Sequence, residues 1–95
     1  MHIITRKRLD QFSAKHPEVK SGLTHWYKII KGASCQNFAE LRTMFPSVDQ
    51  VGKLFVFNIG GNKVRLIVAI HFNRQKVFIR DILTHSEYDE GKWKE

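Results

Sequence analysis

The sequence predicts one α+β domain spanning residues 1–95, its elements in the order β-α-α-(short α)-β-β-β. Three observations predict it. The first half carries apolar residues at helical spacing, most plainly Val19, Leu23, Trp26, Tyr27 and Ile30. From Leu54 onward the period shortens to that of strands, broken by turn residues at Gly60-Gly61 and Asn73-Arg74. A hydrophobic share of 42% over 95 residues supplies one modest core and no second one.

The elements follow in order. Met1 to Thr5 is short, apolar and β-branched, and reads as a first strand whose pairing partner the sequence leaves open. Thr5 is placed to cap a helix over residues 6–15, with Leu9 and Phe12 on its buried side. Arg6, Lys7 and Arg8 crowd the first turn of that helix, where the dipole disfavours cations; a phosphate partner and a solvated basic turn both fit. Pro17 ends this helix and starts the next, which Gly32 closes. Asn37 and Glu40 make a capping pair for a short helix carrying Phe38, Leu41 and Phe45, stopped by Pro46. PSVDQVGK reads as a loop into the sheet. A three-stranded antiparallel meander then runs through Leu54 to Ile59, Lys63 to Phe72 and Lys76 to Leu83. The helices are expected on one face of it.

Taking Gly60-Gly61 and Asn73-Arg74 as two-residue turns fixes an expected register. Phe55, Phe57, Val64, Leu66, Val68, Ile70, Phe72, Val77, Ile79 and Leu83 then form the core face. The opposite face carries Val56, Asn58, Lys63, Arg65, Ile67, Ala69, His71, Phe78, Arg80, Ile82 and Thr84. In this register Arg65 pairs with Val56 and Ile82, and Arg80 lies opposite Ile67. The two arginines become diagonal neighbours within reach of one anion, while Asp81 points away. Guanidinium forks match phosphate oxygens, so a phosphodiester is the expected ligand.

Charge points the same way. Sixteen Lys and Arg against nine Asp and Glu give a formal charge of +7, which favours a polyanionic partner, nucleic acid before anionic membrane. No apolar run is long enough to span a bilayer. MHIITRKRLD lacks the apolar centre of a signal peptide, so a cytoplasmic protein is expected. Cys35 is the one cysteine, which excludes an internal disulfide and a CxxC metal site.

The last strand runs into Thr84-His85-Ser86-Glu87, which fits the S/T-x-x-E capping box and opens a helical turn. His85 and Tyr88 stand three residues apart on it, at the same sheet end as Arg65. Histidine moves protons near neutral pH, and tyrosine donates to or orients an oxygen. The expected basic face has no carboxylate cluster to hold an ion, so no metal and no other cofactor is expected. His2, His16 and His25 lack ligand spacing, and His71 lies at the far hairpin.

The strings FNIGGNKVRLIVAIHF and KVFIRDILTHSEYD resemble the HigB family of RelE-like bacterial toxins from type II toxin–antitoxin systems. MHIIT with its helix pair and the FPSVD loop extend the similarity over residues 1–89. The resemblance implies a RelE-like β-α-α-β-β-β fold and an mRNA interferase acting in the ribosomal A site. It also implies a helix-turn-helix antitoxin as inhibitory partner, with a heterotetrameric complex as one arrangement. Arg65 and Arg80 match basic residues that grip phosphate in such toxins. His85 and Tyr88 match the region that supplies acid–base or substrate-orienting groups. Asn58, Asn62 and Lys63 match the first-hairpin motif.

The expected reaction is metal-free attack of a ribose 2′-hydroxyl on the adjacent phosphate. His85 or Lys63 would take the proton, Arg65 and Arg80 would hold the phosphoryl charge, and Tyr88 would orient the nucleotide or assist the leaving oxygen. Asn58, Asn62, Arg6, Arg8 and Lys53 are the expected RNA contacts. A non-catalytic RNA- or DNA-binding module using the same face is the alternative. It needs the arginines but not His85 or Tyr88.

Overall fold

A computed structural model of the 95-residue chain describes residues 1–61, 63–91 and 93. Five strands form one mixed sheet: β1 (His2–Ile4), β2 (Asp49–Val51), β3 (Leu54–Ile59), β4 (Val64–His71) and β5 (Lys76–Thr84). Their spatial order is β1-β5-β4-β3-β2. Between β1 and β2 come α1 (Arg6–Lys15), α2 (Lys20–Gly32) and α3 (Phe38–Met44), and α4 (His85–Glu90) follows β5. The architecture is the α+β fold expected, with the meander β3-β4-β5 at its centre. No helix among the described residues is long and apolar enough to cross a membrane.

The apolar stripes cause the layering. Leu9 of α1, Leu23, Trp26 and Ile30 of α2 and Leu41 of α3 pack against Phe55, Phe57, Ile59, Val64, Leu66, Val68, Val77 and Ile79 in one cluster. Phe57 sits at its centre, edge-on to Trp26 at 5.4 Å and to Phe45 at 5.0 Å between ring centroids. Gly22 allows α2 to lie directly on β3, since a Cβ there would meet Ile59 Cγ2 at 2.9 Å. Asn37 caps α3 as expected: its Oδ1 accepts from the Glu40 N–H at 2.9 Å, and Glu40 Oε1 accepts from the Gln36 N–H at 2.9 Å.

The N-terminal strand finds its partner in β5. It lies parallel to it, with His2, Ile3 and Ile4 opposite Lys76, Val77 and Phe78. The Met1 ammonium donates to the carbonyls of Ile30 (3.0 Å) and Ala33 (2.6 Å) at the end of α2, where the Ile30 carbonyl also accepts from the Ala33 N–H at 3.1 Å.

Several local expectations are corrected. Thr5 does not cap α1 through its side chain; it adopts a left-handed φ of 68°, and its hydroxyl bonds back to the Ile4 carbonyl. PSVDQVGK is not all loop, because Asp49–Val51 forms β2 along β3. Gly60 and Gly61, at φ 64° and 62°, are not the centre of a two-residue turn. Ile59 pairs with Val64, so four residues connect β3 and β4 and the register moves by two, with the faces unchanged. At the second hairpin the pairing of His71 with Lys76 is as expected, but the left-handed residue is Gln75 (φ 54°) rather than Asn73.

The largest correction is a β-bulge. Val68 pairs with Ile79 but Ile67 pairs with Asp81, which leaves Arg80 as the extra residue. Every side chain of β5 beyond it changes face. Ile82 joins the helix side opposite Leu66, while Asp81 and Leu83 move to the face of Ile67 and Arg65. The longer β3–β4 connection pairs Arg65 with Asn58 rather than Val56, and the bulge pairs it with Leu83 rather than Ile82 and removes Arg80 from opposite Ile67. Val56 and Ile67, at 2% and 1% exposure, form a buried apolar floor on this second face, outside the helix-side cluster.

Candidate RNA-cleavage site

The second face ends, beside the β3–β4 connection, in a group of side chains held by α4. Thr84 and Glu87 start α4 with a reciprocal cap: Thr84 Oγ1 accepts from the Glu87 N–H at 3.3 Å, and Glu87 Oε1 accepts from the Thr84 N–H at 3.0 Å. The His85 N–H donates to the Lys63 carbonyl at 3.1 Å, tying the helix start to the first hairpin. Gly91, at φ 75°, ends the helix in the left-handed region that glycine tolerates. These anchors fix the position of a helix of only six residues.

Arg65, half-buried on β4, places its guanidinium over the Tyr88 ring at 5.3 Å. Trp93 stacks on Tyr88 with ring centroids 5.0 Å apart and planes 15° from parallel, and its Nε1–H donates to the Tyr88 carbonyl at 3.1 Å. His85 is exposed, and its Nδ1 lies 3.0 Å from Asp89 Oδ2. The nearby Asp89 carboxylate favours a proton on Nδ1, the tautomer that leaves the lone pair on Nε2. Asn58, also half-buried, stands opposite Arg65 on β3. A cation, an aromatic hydroxyl and an oriented imidazole thus share one sheet end, the group needed to bind a phosphodiester and move a proton beside it.

The remaining expected residues are distributed more widely. Lys63 is exposed in the hairpin connection next to His85. Its charge also reaches Glu18, whose carboxyl is held below its ordinary value, chiefly by a hydrogen bond from its own backbone, then by His16, and least by Lys63. Arg80 is exposed at the bulge, three residues before the partner of Arg65, about 10 Å along the strand. It is not brought into diagonal contact with Arg65. Arg8 reaches round from α1 to donate to the Arg80 carbonyl, and Arg6 lies over Tyr27 at 4.5 Å, with Asp10 at 3.9 Å. The protein itself therefore engages both α1 arginines. Lys53 is exposed in the turn between β2 and β3, five residues along from Asn58. Asn62 lies outside the described residues. The face also carries a carboxylate where none was expected, since the bulge turns Asp81 onto it.

Two side chains beside the candidate site carry little signal in the sequence. Asp89 is visible in sequence only as the i+4 neighbour of His85, a spacing shared by many surface pairs. Trp93 has no periodic partner, and nothing in its spacing places it on Tyr88.

Comparison with known proteins gives a consistent result. Residues 19–91 match the family model for the HigB toxin, described as the RelE-like toxic component of a toxin–antitoxin system. The chain is 37% identical over 92 residues to the mRNA interferase toxin HigB of Escherichia coli (strain K12), covering 94% of this chain and 88% of that protein. The mRNA interferase HigB of Shigella flexneri matches with the same identity and coverage. That of Escherichia coli O6:H1 is 33% identical over 93 residues, covering 95% of this chain and 90% of its own length.

Proposed function

This chain belongs to the HigB family of RelE-like toxins of toxin–antitoxin systems, and on that premise we propose that it is an mRNA interferase, an endoribonuclease whose site is built on Arg65, Tyr88 and His85. The Arg65 guanidinium over the Tyr88 ring, on the short helix that begins at His85 and is tied to the first hairpin, is the observation that carries the reading. The relatives named mRNA interferase support it, as does the +7 charge.

In the proposed reaction the 2′-oxygen of a ribose attacks the adjacent phosphorus and the bond to the 5′-oxygen breaks. His85 Nε2 accepts the 2′-hydroxyl proton, while Asp89 holds the opposite nitrogen. Arg65 stabilises charge on the non-bridging oxygens, its guanidinium kept in place by Tyr88. The leaving 5′-oxygen takes a proton from the Tyr88 hydroxyl or from solvent. Lys63 and Arg80 flank this centre as outer phosphate contacts, Asn58 stands on the hairpin side, and Asn62 remains an RNA contact expected from the sequence. Arg6, Arg8 and Lys53 contribute only to the general positive field.

No step is assigned to a metal. The products are therefore a 2′,3′-cyclic phosphate, or the 3′-phosphate it hydrolyses to, and a 5′-hydroxyl. End-group analysis of cleaved mRNA in EDTA tests this. A 5′-phosphate product, or activity that returns only with Mg²⁺, contradicts it.

The wider setting is part of the same proposal. Residues 1–95 act as one toxin domain in the cytoplasm, cutting mRNA in the ribosomal A site. A cognate antitoxin with a helix-turn-helix fold inhibits it, with a heterotetramer as one arrangement of the complex.

A further inference from the structure

We propose that Trp93 is a nucleobase-stacking residue and that the cleft it walls, beside Tyr88 and Arg65, receives one unpaired base of the RNA. The inference rests on the reading of this sheet end as an RNA site and adds to it the place of a base. Trp93 lies flat against Tyr88, and its indole N–H is tied to the Tyr88 carbonyl, so the ring is held in a fixed plane. It borders a cleft of about 210 Å³ that Leu83, Asp81, Glu87 and Glu90 complete. The bulge at Arg80 is what brings Leu83 and Asp81 there, and Leu83 is the direct strand partner of Arg65.

Size and charge both select a base. Such a cleft exceeds by far the ~10–15 Å³ that one water needs, yet falls below the ~300–1,000 Å³ of pockets for larger ligands. Its walls are one aromatic ring, one aliphatic side chain and three carboxylates, in a chain whose net charge is +7. Carboxylates repel a phosphate but accept hydrogen bonds from the amino groups of bases. The backbone phosphate is left to Arg65, on the adjoining strand position. Stacking on an aromatic ring tolerates any base because each has a π face.

The two tryptophans make the test direct. Trp26 is 1% exposed in the core, so its emission is shielded from RNA, whereas Trp93 lies at the site. The full chain is titrated with a short single-stranded 2′-O-methyl RNA, which has no free 2′-hydroxyl and is not cut. Saturable quenching in the parent is expected. Trp93→Phe should abolish the quenching while still binding, read by anisotropy of a labelled RNA. Trp93→Leu should bind roughly tenfold more weakly with an unchanged circular dichroism spectrum. Quenching that persists in Trp93→Phe, or full affinity in Trp93→Leu, overturns the proposal. A parent that quenches with RNA but does not cut mRNA contradicts the interferase reading and supports this inference. A parent that cuts mRNA with unchanged Trp93 emission when RNA binds contradicts this inference alone.

Discussion

Arg65→Ala should lower mRNA cleavage by about 10²–10³-fold while the protein keeps its fold, the range seen when one donor to a developing oxyanion is removed. The reason is positional. Arg65 is half-buried at the centre strand of the meander, paired with Asn58 on one side and Leu83 on the other, with Tyr88 under its guanidinium. A cation so placed is oriented before substrate arrives. Arg65→Lys keeps the charge but loses the planar fork, and should recover only part of the activity. Arg80→Ala, at the bulge about 10 Å along the strand, should cost much less. Cleavage rates of purified variants with matched thermal melts decide it. Equal losses at Arg65 and Arg80 would mean that the phosphate sits nearer the bulge.

Phe57→Ala carries the largest expected effect on stability, about 3–5 kcal/mol. Phe57 is 1% exposed and touches both Trp26 and Phe45 edge-on, so it joins α2, the end of α3 and the sheet. Truncation leaves a hole bounded by rings that cannot collapse into it. A domain of ordinary stability has only about 5–15 kcal/mol in total, so the variant should be close to unfolding at growth temperature. Urea unfolding of parent and variant measures the loss. A change below about 1 kcal/mol would show that the core repacks around the gap.

Much of this architecture is legible in the sequence because it rests on periodicity. Val19, Leu23, Trp26 and Ile30 give α2, Asn37 and Glu40 give the start of α3, and Thr84 and Glu87 give α4. The alternation in β3 and β4 assigns their faces correctly even though the Gly60-Gly61 connection is longer than two residues, because a shift of two preserves parity. The bulge at Arg80 is different in kind. A single extra residue reverses parity, and nothing in FIRDIL distinguishes a straight strand from a bulged one. Hence a register counted from the turns puts Asp81, Ile82 and Leu83 on the wrong faces and Arg80 beside the wrong neighbour. β2 is not legible because the three residues DQV carry too little pattern to stand out from a loop. The candidate site is legible to the extent that one strand and one capped turn supply it, through Arg65, His85 and Tyr88. The contact of Trp93 with Tyr88 is not legible in the same way, because no local spacing encodes it.

The most direct measurement of the central claim is primer extension on a reporter mRNA after induced expression. The parent would be run beside a His85→Gln/Tyr88→Phe variant whose circular dichroism spectrum and melt match it. The account predicts growth arrest and cuts within the translated region from the parent, and neither from the variant. Cuts of the same strength and position from both would contradict it, because cleavage would then proceed without the side chains assigned to it.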